Sequence, residues 1–230
     1  MKHRNIFLSL AAGAAMTVAG AAHAQLNLKQ LGIGGNSGSD NAATSGMAGG
    51  AATSGGMSQL LQNYVGANQQ VLSGQSSLAS AMGLSSAAGK AQQASSLLSG
   101  GTPSVSQLTQ VGNTQQSLSS TLTQAFSKNS ASSAPVNKEA FSSGLASLGQ
   151  GVSQYASLKS SLGGASQMSA GSLLQSGMNP STAQSASYIA KTAPGQLQSL
   201  TSVLGQAVQF ASSHGISVPS IATSALGAAQ

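Results

Sequence analysis

The sequence predicts an all-α protein: an antiparallel helical bundle of about five to six helices, preceded by a cleaved signal peptide and a flexible Gly/Ser/Ala-rich segment. Three observations lead there. Apolar residues recur at steps of three and four over long windows, helix start and stop signals flank those windows, and no segment shows the period-two alternation of a half-buried strand. The corresponding division is a signal peptide over 1–24, a low-complexity tether over 25–56, a helical domain over 57–215 and a frayed tail over 216–230.

The N-terminal reading rests on residue order. Lys2 and Arg4 supply a basic start, the stretch from Ile6 to Ala19 is apolar, and Ala22-His23-Ala24 is a small-x-small cleavage site, which places the mature start at Gln25. Residues 32–56 hold Gly and small polar side chains with only Ile33 and Met47 as larger apolar groups, too little burial to offset backbone entropy. At Met57 the pattern changes. Met57, Leu61, Tyr64, Asn68, Val71, Gln75, Leu78 and Met82 alternate steps of four and three, and Gly83 ends the helix. Its other face, Gln59, Gln62, Asn63, Gln69, Gln70, Ser73, Ser76, Ser77 and Ser80, is polar but uncharged.

A weaker helix spans Ser86 to Ser99 with an alanine face at Ala87, Ala91 and Ala94, and Gly100-Gly101 stops it. Ser104-x-x-Gln107 has capping-box spacing and opens a third helix, whose buried side runs through Leu108, Val111, Leu118, Leu122 and Phe126 with Gln115 in the same stripe. Residues 128–135 read as a polar linker. Asn137 caps a fourth helix that carries Glu139 in its first turn and Phe141, Leu145, Leu148, Val152, Tyr155, Leu158 and Leu162 along one side up to Gly163-Gly164. After a short turn at Leu173-Leu174, Asn179-Pro180 starts a fifth helix that is expected to stop near Pro194-Gly195. The sixth carries Leu197, Leu200, Leu204, Val208 and Ala211 and ends at His214-Gly215-Ile216. GANQQVLSGQSSLASAMG and GLASLGQGVSQYASLKSSLGG echo one another, as low-complexity segments readily do.

Composition narrows the chemistry. Beyond Ala24 there are six lysines, no Arg, and only Asp40, Glu139 and His214 as acid or imidazole groups. General acid–base catalysis and metal binding both need such groups to converge, so neither an enzyme activity nor a cofactor is expected. His214 suits the carbonyl end of a helix. The lysines are scattered and aromatic platforms are few, which argues against nucleic acid. Tyr155-x-x-x-Lys159 has the spacing of a dehydrogenase pair, Gly32, Gly34 and Gly38 imitate a dinucleotide loop, and Gly83 to Lys90 imitates a phosphate loop. Each lacks the strand–turn–helix context that gives such motifs their chemistry. No small-molecule substrate is evident.

The absence of Cys excludes disulfides and a lipid-anchored N-terminus, although export would permit them. No run after the signal approaches the ~20 apolar residues of a membrane span, and the uncharged polar faces disfavour interfacial binding. The expected role is an exported, non-enzymatic structural or protein-interaction role in the bacterial cell envelope, in the periplasm or outside the cell. A protein partner or self-association fits this composition; a self-assembling matrix component and a membrane-active helical protein are the alternatives. The most specific candidates are the polar seam residues Asn68, Gln75 and Gln115. They form either an interior amide layer that fixes register or oligomer state, or a solvated edge.

Overall fold

The computed structural model describes residues 48–129, 136–162, 171, 174 and 179–229. Among them are six long or medium helices and no strand: α1 Ala48–Ala81, α2 Ser85–Ser96, α3 Val105–Asn129, α4 Lys138–Leu162, α5 Pro180–Ser213 and α6 Ser220–Ala228. The signal peptide, the tether up to residue 47, residues 130–135 of the linker, the Gly163-Gly164 stop and Leu173 lie outside the described residues.

Start and stop chemistry follows the sequence closely. Ser104 and Gln107 close a capping box at α3, with the Ser104 amide donating to Gln107 Oε1 at 2.9 Å and the Gln107 amide donating to Ser104 Oγ at 3.4 Å. Asn137 Oδ1 accepts from the Ala140 amide at 3.0 Å, and Asn179 Oδ1 accepts from the Ser181 amide at 3.0 Å. Gly83 and Gly215 leave their helices with φ of 74° and 61°, a region open to glycine. Beyond each, an amide reaches back to an otherwise unpaired carbonyl: Leu84 to Ala79 at 2.8 Å and Ile216 to Ala211 at 2.9 Å.

Three expectations are corrected. Helix α1 begins at Ala48, so residues 48–56 are helix and not tether. Extending an existing helix fixes one residue per hydrogen bond, which costs far less than starting one. The expected break at Pro194-Gly195 is absent, and α5 is a single helix of 34 residues with Pro194 inside it. Its buried residues Ala183, Ala186, Ala193, Leu197, Leu200, Leu204, Ala207 and Ala211 keep one register across the proline. Continuous packing on both sides therefore outweighs the roughly 3 kcal/mol that an interior proline costs. The tail expected to fray forms α6, which buries Ala222 and Ala225 and packs chiefly on α4.

The contacts define helix directions. Along α1 and α4, Gly74 meets Leu148, Val71 meets Gly151, and Tyr64 meets Tyr155, so the two run antiparallel. Helices α4 and α5 also run antiparallel, since Phe141 meets Phe210 and Tyr155 meets Gln196. Helices α3 and α5 differ: Pro103 meets Ser185 and Phe126 meets Phe210, so this neighbouring pair is parallel. The short α2 carries the chain back between α1 and α3, and that return makes the parallel pairing possible. One buried apolar cluster draws on all six helices.

The α1–α4 contact is the closest. A Cβ placed on Gly74 would lie 2.5 Å from Leu148 N, one on Gly144 would lie 2.9 Å from Leu78 N, and one on Gly151 would lie 2.9 Å from Val71 N. Backbone packs on backbone here. Gly149 does the same for α6, where a Cβ would fall 2.7 Å from Ala222 Cα.

Candidate functional site: an interior amide and tyrosine network

The three seam residues lie inside. Asn68 and Gln75 are fully buried and Gln115 is 3 % exposed, so the solvated-edge alternative does not describe their positions. Asn68 and Gln75 stand seven residues apart on α1 and face α3, which supplies Gln115 and Ser119. Gln115 Nε2 donates to Asn68 Oδ1 at 2.8 Å, and Asn68 Nδ2 donates to the Tyr64 carbonyl at 2.7 Å. Gln75 Nε2 donates to Ser119 Oγ at 3.1 Å and, at 3.4 Å, to the Gln115 carbonyl. Two acceptors are left over: Gln75 Oε1 and Gln115 Oε1 are buried without a hydrogen-bond partner.

Sequence reasoning missed the second half of the network. Tyr64 and Tyr155 both donate to Gln196 Oε1, at 2.8 and 2.9 Å, and their rings meet edge to face at 5.6 Å. Gln196 stands directly after the Pro194-Gly195 pair that reads as a helix break, and so it carried no interior signal. Burial raises the pKa of the Tyr64 phenol and raises that of Tyr155 well above its ordinary value, which keeps both as neutral donors. The network thus ties α1, α3, α4 and α5 together through amides, hydroxyls and phenols.

Against α3 and α5 lies a cavity of about 360 Å³ whose lining includes Gly112, Gln115, Tyr188, Gln196, Ser199 and Leu200 and carries no charged side chain. Gly112 lets the Gln196 side chain pack close against α3, since a Cβ there would sit 2.9 Å from Gln196 Nε2.

The remaining candidates find structural places. His214 follows α5, with Nδ1 2.9 Å from the Phe210 carbonyl and its ring stacked on Phe210 at 4.0 Å. Tyr155 points its hydroxyl at Gln196 while Lys159 is exposed, so the two do not form a dehydrogenase-like pair. Ser76, expected on the polar outer face of α1, is buried and donates to the Ala88 carbonyl at 3.3 Å, because α2 folds over it. Among the described residues no three of His, Cys, Asp and Glu come together, and no helix is long and apolar enough to cross a membrane. Compared with known proteins, the chain matches no family, no curated sequence and no solved structure.

Proposed function

We propose that this chain is an exported, non-enzymatic helical bundle of the bacterial cell envelope, cleaved after Ala24 and acting through its packing and its contacts with other proteins. The observation that carries the reading is how the interior polar groups are used. Tyr64, Tyr155, Gln196, Asn68, Gln115 and Gln75 direct their hydrogen bonds at one another, at Ser119 or at nearby backbone, joining four helices. Groups engaged in this way serve architecture; a general base or nucleophile needs a titratable side chain presented to a substrate. The amide layer fixes the register of α1 against α3, because sliding either helix by a turn would leave Asn68 and Gln115 buried without each other.

Fractionation of a bacterial host expressing the full chain, with mass spectrometry of its N-terminus, tests export. The expected species starts at Gln25 and lies in the periplasm or medium, whereas a cytosolic species retaining residues 1–24 overturns the reading. Circular dichroism with size-exclusion chromatography tests the role. A helical, discrete species is expected; a β-rich polymer would point to the self-assembling matrix component instead. Crosslinking in the envelope then identifies the partner, and flotation with liposomes tests the membrane-active alternative.

A further inference from the structure

We infer that the groove of α4 and α5 that holds α6 is a docking site for the α6 helix of a second copy of this chain, so that two copies pair by exchanging their C-terminal helices. This deepens the reading above by naming one of the chain's protein contacts. The chemistry of the groove is set by what already lies in it. A Cβ on Gly149 would fall 2.7 Å from Ala222 Cα and 3.1 Å from the Ile221 carbonyl oxygen, and one on Gly205 would meet Leu226 Cδ2 at 3.9 Å. The seat therefore admits a helix with alanine on its contact face, close enough for backbone to rest on backbone. Every copy carries that helix, and an exchanged α6 makes the same contacts in the groove of its partner.

Helix α6 is lightly held in its own chain. Of the other helices it touches α4 and α5 alone, and its buried residues are Ala222 and Ala225. Thr223 Oγ1 donates within the helix, to the Ser220 carbonyl at 2.8 Å, and no side chain caps the N-terminus. An isolated helix needs about 12–15 residues to persist in water, so α6, with 9, is helical where it docks. The chain is anchored up to Ile216, which is 5 % exposed and whose amide donates to the Ala211 carbonyl, and it is extended at Pro219. Residues 217–219 then serve as the hinge, and the extended path from Ile216 to Ser220 covers about 13 Å.

The observation that favours exchange over seating within one chain is Ile221. It is 42 % exposed and stands in the first turn of α6, directly beyond the hinge. Exchange about a two-fold axis sets the two hinges side by side, so each Ile221 gains a cover that the single chain does not give it.

The chain has no cysteine, so introduced thiols report the seating directly. Gly205→Cys and Leu226→Cys are made in separate copies of the full chain, which are mixed, refolded together from urea and oxidised. Docking brings that thiol pair to an effective concentration of about 1 mM, so at micromolar protein the mixed disulfide should form at least about tenfold faster than between Leu226→Cys and Gln92→Cys. Gln92 is the control because it is exposed on α2, which does not touch α6. Size exclusion with light scattering should show a dimer of the unsubstituted chain. Gly149→Val fills the seat and should leave a monomer, with the rest of the bundle intact because the nearest neighbours of the new Cβ all belong to α6. Ile221→Ser, at an exposed position, should raise the dissociation constant of the dimer at least about tenfold with helical content unchanged. A mixed disulfide that forms no faster than the control, or a dimer that either substitution leaves as tight as before, overturns the exchange. A helical, exported monomer overturns it too while leaving the reading above in place.

Discussion

Replacing Gly74 by alanine separates the backbone packing of α1 and α4 from ordinary helix propensity. A new Cβ at Gly74 would lie 2.5 Å from Leu148 N and 2.8 Å from both its Cα and Cβ. Carbon contacts are optimal near 3.5–4.0 Å, so the helices must part by about 1 Å at this point. Neighbouring contacts at Gly144 and Gly151 would loosen with them, because a Cβ at either already falls 2.9 Å from backbone nitrogen of α1. Overpacking of this kind costs about 1–3 kcal/mol, and the alanine's better helix propensity returns about 0.8–1 kcal/mol.

Gly66 is the control on the same helix, for a Cβ there meets nothing within 4 Å. Gly66→Ala should therefore stabilise the protein by about 0.5–1 kcal/mol. Thermal melting followed by circular dichroism reads the contrast. At about 2–4 °C per kcal/mol for a domain of this size, Gly66→Ala should melt a few degrees above the unsubstituted chain and Gly74→Ala below it. A Gly74→Ala variant that melts at or above the unsubstituted chain would refute the backbone-to-backbone contact.

Burial raises the pKa values of Tyr64 and Tyr155 in the folded state. Their contribution to stability is thus fully present below the unfolded value of about 10 and is lost as pH rises through the folded values. A combined absorbance and circular dichroism titration should show these tyrosines ionising only as helix is lost; ionisation near pH 10 with helix intact would contradict their burial. Asn68→Leu should cost about 1–3 kcal/mol by stranding Gln115 Nε2, and pairing it with Gln115→Leu should recover part of that, a coupling of about 0.5–3 kcal/mol in urea unfolding. Strict additivity would show that the amide contact contributes nothing. Pro194→Ala restores an amide donor toward the Ala190 carbonyl at an exposed position, and should raise stability by about 1–3 kcal/mol. A lower melting temperature would mean that the proline's local geometry sets Gln196 against the two tyrosines.

What was legible in the sequence is what bulky periodic side chains and capping groups announce. Tyr64, Val71 and Leu78 on α1, and Phe141, Leu145, Leu148, Val152 and Tyr155 on α4, are buried where three–four spacing places them. The caps at Ser104, Asn137 and Asn179 are hydrogen-bonded in the structure. Small residues announce much less. Glycine has no side chain to register in a hydrophobic pattern, so the contacts of Gly74, Gly144, Gly149 and Gly151 were invisible to it. Helix α6 was missed for a similar reason, since it buries alanines, Ala222 and Ala225, and leaves Ile221 exposed. At Pro194 the local breaker rule opposes the register of Ala183, Ala186, Ala193 and Leu197 on either side of it; packing prevails, and the helix carries Gln196 on into the network.

Helix α1 shows why an almost uncharged chain would carry amides in its interior. Tyr64, Val71 and Leu78 form one buried row at seven-residue spacing; Ala67, Gly74 and Ala81 form the neighbouring row toward α4, and Asn68 and Gln75 the row toward α3. Rows of Ala, Gly, Ser and Leu are similar at every turn and discriminate poorly between registers. Helices that pair in water commonly solve this with charges flanking the seam. This chain has too few charged residues to do so, with Lys90 the only one between Asp40 and Lys128. Buried amides supply the missing discrimination, because their donors and acceptors match at one register only. The cost is visible in the two orphaned oxygens of Gln75 and Gln115, each worth about 1–3 kcal/mol if left dry.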